Sequence, residues 1–145
     1  MRPEVIVDTG PLVAYVVSSE RSHRWAREQM EALPGPLLTC EAVIAEATYL
    51  LRRTGPGSFT PLTMVERGAV RIAFDLASEH AAVARLMRKF RDVPMSLADA
   101  CLVRMAEIRP EAEIMTLDAD FLLYRTSDRR VLRTRMPDSA EERGR

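Results

Sequence analysis

Short β-branched apolar runs alternate along this chain with longer stretches whose apolar positions recur every three or four residues, the spacings of strands and amphipathic helices. EVIVD at 4–8 reads as a strand stopped by Thr9-Gly10-Pro11, and the apolar run at 12–17 continues as a helix that tolerates the early proline. Ser22 can cap a second helix to about Leu33, broken by Pro34-Gly35-Pro36. LLT at 37–39 is a brief strand. A third helix runs from Thr39 or Cys40 through Arg53, and a shorter one from Thr60-Pro61 to Gly68. The pattern then predicts a strand at 70–74, helices at 78–91 and 96–110, a strand at 114–116, a short helix around Phe121 and a last strand at 131–133. Residues 1–136 read as one domain and 137–145 as a polar, frayed tail. Strands alternating with helices predict an α/β fold whose central, mainly parallel sheet is covered on both faces, with ligands bound beyond the carboxyl ends of the strands.

Composition narrows the function classes. A chain of 145 residues, 47% hydrophobic and 29% charged, suits a soluble globular domain that needs no disulfide or metal as a structural staple. Its 21 basic and 21 acidic side chains cancel, so attraction to nucleic acid or an acidic membrane has to come from local patches. The early apolar run at 12–17 is too short to span a bilayer, and the first residues lack the pattern of a signal peptide, so a cytoplasmic location without membrane association is expected. Two cysteines, Cys40 and Cys101, suit reduced, buried thiols better than a zinc site or a disulfide framework. Carboxylates are left as the main chemical resource.

Four of them stand out. Asp8 and Asp118 each follow a strand, where a carboxylate can coordinate a cation or simply cap the next turn. Glu46 lies away from Glu41, Thr48 and Arg52 on its helix. Its neighbours one turn away are Ala42, Val43, Tyr49 and Leu50, so it points to a polar cavity or to a tertiary arginine. In MSLADACLVRM at 95–105, Leu97, Cys101 and Met105 share one face with Ile108, and Arg104 and Glu107 make a solvated one. Asp99 is on neither, although Ser96-Leu97-Ala98-Asp99 also fits a capping box. Converging acids repel: a pair 4 Å apart costs roughly 4 kcal/mol at an effective dielectric near 20. A divalent cation removes the difficulty. Oxygen-only ligands favour Mg²⁺ or Mn²⁺ over Zn²⁺, in the kind of site that phosphodiester chemistry uses.

VIVDTGPLVAYV at 5–16, VIAEATYLL at 43–51, PMSLADACLVRMAE at 94–107 and IMTLDADFLLY at 114–124 together resemble the PIN-domain family, and closely its VapC-type bacterial toxins, over about residues 4–134. The resemblance implies a three-layer α/β/α sandwich and a metal-dependent endoribonuclease. Its catalytic and metal-holding acids map onto Asp8, Glu46, Asp99 and Asp118, with Mg²⁺ or Mn²⁺ as cofactor. It further implies an RNA substrate cut to a 5′-phosphate and a 3′-hydroxyl, a homodimer, and an antitoxin protein that lays an amphipathic segment over the active-site groove. Thr9 and Thr116 match positions where the family keeps a hydroxyl near the acids, and ordinary turn chemistry is the other reading of both. Asp120 is an auxiliary acid or a surface residue, and Gly10 stands where Asn or Ser is frequent.

Arg52, Arg53, Arg88 and Lys89 are candidate phosphate contacts, with Arg85 and Arg91 in the same basic segment and Arg129, Arg130, Arg133 and Arg135 in another. The more usual reading of such charges is a solvated face or a helix-end charge. Tyr15 and Trp25 can stack on bases or pack in the core. A dehalogenase-like phosphatase would need an acid where Gly10 stands, and a receiver domain a late lysine, whereas the only lysine is Lys89. The remaining alternative is a non-catalytic RNA-binding or scaffolding PIN domain, against which the retention of all four acids argues.

Overall fold

The first strand, β1 (Val5–Val7), is buried on both faces, as its unbroken β-branched run requires. It occupies the middle of a five-stranded sheet in a computed structural model that describes residues 2–138. The other strands are β2 (Leu37–Thr39), β3 (Val70–Ile72), β4 (Glu113–Met115) and β5 (Thr134–Arg135), in the order β3-β2-β1-β4-β5, every pairing parallel. Six α-helices connect them: α1 (Thr9–Val16), α2 (His23–Ala32), α3 (Glu41–Leu50), α4 (Thr60–Glu66), α5 (Leu76–Lys89) and α6 (Leu97–Ile108).

Topology positions the site. The connections from β1 to β2 and from β2 to β3 step outward one way, whereas α5 and α6 carry the chain back across to β4. Right-handed crossovers therefore put α1 with α2 on one face and α5 with α6 on the other, as their mutual packing shows. Between β1 and β4 the two directions of winding meet, so the carboxyl ends of these strands open a crevice at a topological switch point. Small side chains let α6 lie deep in the fold: Ala98, Ala100, Cys101, Leu102, Val103, Met105 and Ala106 are all buried.

Helix boundaries follow local chemistry. α4 stops at Gly68, which takes a φ of 80° and forms the paired bonds Gly68 N to Val65 O and Ala69 N to Met64 O of a left-handed helix end. α5 begins earlier than its expected Ser78, because Asp75 caps it by accepting from Ala77 N and from the Ser78 hydroxyl. The last strand is Thr134–Arg135, not 131–133: Val131 is drawn into an antiparallel bridge with Arg125 across a turn in which Arg129 takes a φ of 67°.

The face of α6 read as solvated is an interface. Arg104 donates to Glu79 of α5 at 2.7 Å and to Glu107, whose carboxylate also accepts from Ser127 N. Leu97 and Ile108, read as core, are partly exposed because they stand at the helix ends. Cys40 and Cys101 are free and buried as expected, and their thiols meet between α3 and α6, 61 positions apart in the chain. Of the expected tail, 139–145 lies outside the described residues. Among the described residues no helix is long and apolar enough to cross a membrane.

Candidate active site

Asp8 follows the last residue of β1, and its amide donates to Met115 O of β4 at 2.9 Å, which seats it at the switch point. One carboxylate oxygen, Oδ1, accepts from Thr9 N at 2.7 Å and so caps α1. The other, Oδ2, accepts from the Thr116 hydroxyl at 2.7 Å. That hydroxyl oxygen in turn accepts from Asp118 N at 3.0 Å, while Asp118 Oδ1 accepts from Asp120 N at 2.9 Å and caps the 3-10 turn Ala119–Leu122. Thr116 thus ties the ends of β1 and β4 together through one oxygen. Gly10 assists: a Cβ there would come within 3.2 Å of the Leu117 Cβ, so the bare backbone lets the two acid-bearing loops approach closely.

The capping and ligand readings of these acids are compatible, since each caps a helix and also faces the cleft. Asp99 differs, because Ser96 caps α6 by accepting from Asp99 N at 3.0 Å, while the Asp99 side chain lines the same cleft as Asp8 and Asp118 and its Oδ2 accepts from the Tyr124 hydroxyl at 2.7 Å. Burial lifts the Asp99 carboxyl above the usual range, Tyr124 and Ser96 oppose that, and Asp118 adds to it. Asp8 is only 6% exposed, and burial pushes it from its ordinary 3.8 up to about 7, against the Thr116 and Thr9 bonds and with help from Asp99 and Asp118. Asp120 is raised too, by burial and then by Asp118 and Asp99. The acids therefore sense one another.

They surround an open cleft of about 590 Å³ lined by Asp8, Glu20, Glu46, Asp99 and Asp118 among apolar residues such as Leu50 and Leu117. Glu46 reaches this cleft from an exposed position. The side of α3 that it shares with Tyr49 and Leu50 is solvent-facing, and the helix buries Val43, Ile44 and Ala47 instead. Two participants are absent from the sequence reading. Glu20 sits in the loop after α1 with no local pattern to mark it, whereas Tyr124 closes the motif DADFLLY and was legible only as an aromatic six residues beyond Asp118.

The basic candidates lie elsewhere. Arg52 donates to Tyr49 O at 2.8 Å and stacks on the Tyr49 ring, Arg53 is exposed three residues beyond Leu50, Arg88 is exposed, and Lys89 donates to Thr126 O at 3.3 Å. None of these four lines the cleft. Arg130, Arg133 and Arg135 pair with Asp128, Glu111 and Glu113, and Tyr15 and Trp25 pack against the core.

Among the described residues no basic group lies within ion-pair distance of Asp8, Glu46, Asp99, Asp118 or Asp120. Nor, among them, do three His, Cys, Asp or Glu side chains close on one point as a ready-made cage. The donor set is all oxygen, and the Thr9 hydroxyl beside it is buried with no hydrogen-bond partner. A few carboxylates around an open cleft suit a hydrated Mg²⁺ or Mn²⁺, which takes oxygen ligands and keeps several of its waters. A second cleft of about 580 Å³, beside residues 32–37, lacks this chemistry: its Arg71 and Arg135 are paired with Glu4 and Glu113.

Comparison with known proteins identifies the family. The family model described as PIN domain matches residues 5–127. A curated relative, ribonuclease VapC26 of Mycobacterium tuberculosis (strain ATCC 25618 / H37Rv), is 31% identical over 116 residues, which is 79% of this chain and 86% of that protein. The crystal structure of Mycobacterium tuberculosis VapC20, described as a sarcin-ricin loop cleaving toxin, superposes with a TM-score of 0.69 at 17% identity, covering 77% of this chain and 87% of that one, a likeness of fold. With its parallel sheet, its acids at the switch point and a family match over most of its length, this chain belongs to the PIN-domain family.

Proposed function

We propose that this protein is a metal-dependent endoribonuclease, the toxin of a toxin and antitoxin pair. The observation that carries the reading is the gathering of Asp8, Glu46, Asp99 and Asp118 around one open cleft with no basic partner among the described residues. The likeness to a curated ribonuclease supports RNA as the substrate. Asp8, Asp99 and Asp118, with Glu46 as a further ligand or water orienter, would hold Mg²⁺ or Mn²⁺. When bound, such an ion lowers the pKa of a water and offsets charge on the phosphate and the leaving oxygen.

The chain's own residues do the rest. Thr116 fixes the Asp8 carboxylate and sets its distance from the Asp118 loop. Thr9 gives its amide to Asp8, and its hydroxyl lies buried next to that carboxylate with no partner among the described residues. Glu46, on the solvent side, stands where RNA enters and can orient the attacking water. Attack of water in line with the 3′ oxygen as leaving group breaks that P–O bond and leaves a 5′-phosphate and a 3′-hydroxyl, the products that the family resemblance implies. Arg53 and Arg52, at the end of the helix that carries Glu46, are the nearest of the basic candidates in sequence for holding the phosphates that flank the cut.

An exposed apolar band supports the partners. Tyr49, Leu50, Phe59 and Leu62 are 62%, 52%, 67% and 51% exposed, and Leu50 also lines the acid cleft. Such a band suits cover by a second copy of the chain and by an amphipathic antitoxin segment reaching the groove. The test is incubation of the purified protein with total RNA in Mg²⁺ or Mn²⁺ and in chelator, followed by sequencing of the fragment ends. Metal-dependent cuts bearing 5′-phosphates support the reading. RNA bound but left intact in both ions would favour the non-catalytic alternative.

A further inference from the structure

Tyr124 is fully buried, yet its hydroxyl bonds a carboxylate that lines the acid cleft. Its ring is fixed by two edge-to-face contacts: Phe90 with centroids 5.3 Å apart and planes at 69°, and Phe121 at 5.2 Å and 84°. Phe90 ends α5, Phe121 and Tyr124 flank the turn after Asp118, and Asp99 opens α6. Three separate parts of the chain therefore converge on one hydroxyl, which donates to Asp99 Oδ2 at 2.7 Å. Among the described residues Asp99 has no other partner of this kind beyond its own helix: Ser96 is the cap of α6, and the remaining acids repel it.

We infer that Tyr124 is a positioning residue for the metal site: its hydroxyl fixes the Asp99 carboxylate between Ser96 and the cleft, turned for ligation beside Asp8 and Asp118. This rests on the metal-nuclease reading, and it adds a residue outside the acid set. Groups that hydrogen-bond a ligand from behind orient it and tune its affinity, and losing one costs metal affinity about 10- to 100-fold. A buried ring that only filled space would need no hydroxyl, and phenylalanine would serve as well.

The experiment is Mn²⁺ titration of the RNA-free protein, followed by calorimetry, for wild type and Tyr124→Phe, alongside RNA cleavage and thermal melting. The phenylalanine ring keeps both aromatic contacts, so the fold is retained. The expected result is Mn²⁺ affinity weakened about tenfold, kcat lowered, and KM for RNA unchanged at saturating Mn²⁺. Should Tyr124→Phe lose stability, a thermal double-mutant cycle with Asp99→Asn in chelator reads the same contact: coupling between the two positions supports it, and additivity overturns it. Unchanged Mn²⁺ affinity in a folded Tyr124→Phe, beside a wild type that binds Mn²⁺ and cuts RNA, overturns the inference alone. A wild type that binds no Mn²⁺ overturns the metal reading and this inference with it.

Discussion

At the residue scale the Asp8 carboxylate is buried among other acids and held by two donors. Because burial raises it from 3.8 to about 7, the folded chain keeps a proton that the unfolded chain has released between those values. Linkage then fixes the sign: without metal, stability falls as pH rises across that window and is level above it. Asp8→Asn removes the titration but gives Thr116 an amide that cannot accept as the carboxylate does. Relative to wild type, the variant should therefore gain up to roughly 4 kcal/mol between pH 4 and pH 8, measured by urea unfolding in chelator. A difference independent of pH would contradict the burial of this charge. Thr116→Val keeps the shape and removes both bonds of its hydroxyl, so it should cost about 1 to 3 kcal/mol and slow cleavage; unchanged melting would show that the bridge between Asp8 and Asp118 contributes nothing.

Helix starts organise the acids at the scale of elements. Asp8 caps α1, Asp118 caps the 3-10 turn and Asp99 sits in the first turn of α6, so backbone amides at the positive ends of these elements partly offset charges that would otherwise repel. Ser96→Ala should destabilise the protein by about 1 kcal/mol, read as a lower melting temperature, with Tyr124 still holding Asp99. A variant that melts like wild type would show that Ser96 is not the cap. Much of this was legible in sequence, because a strand end, a Thr-Gly-Pro turn and a Ser-x-x-Asp cap are local patterns. The acids of β1 and β4 could be placed at one sheet edge before any coordinates. What escaped depends on contacts between distant residues: the Tyr124 hydroxyl on Asp99, Glu20 at the rim, and the Arg104 bridge that turns a polar face of α6 into an interface. Glu46 shows the limit of a helical wheel, since it reaches the cleft from the exposed side of α3 and not from a buried one.

For the whole molecule, acids and bases balance, yet their placement does not: the cleft is acidic and its apolar neighbours stand open to solvent. If a second copy covers that band, Phe59→Ser with Leu62→Ser should turn a dimer into a monomer by sedimentation, with melting little changed because both side chains are exposed. Self-association unaltered by the pair would place the interface elsewhere. The central claim, that the acids at the β1 and β4 ends act together on RNA, is tested most directly by cleavage assays of purified Asp8→Asn and Asp99→Asn in saturating Mg²⁺ or Mn²⁺. Each folded variant is predicted to lose RNA cleavage at least a hundredfold, about 2.7 kcal/mol of transition-state stabilisation; cleavage at the wild-type rate by either one would contradict it.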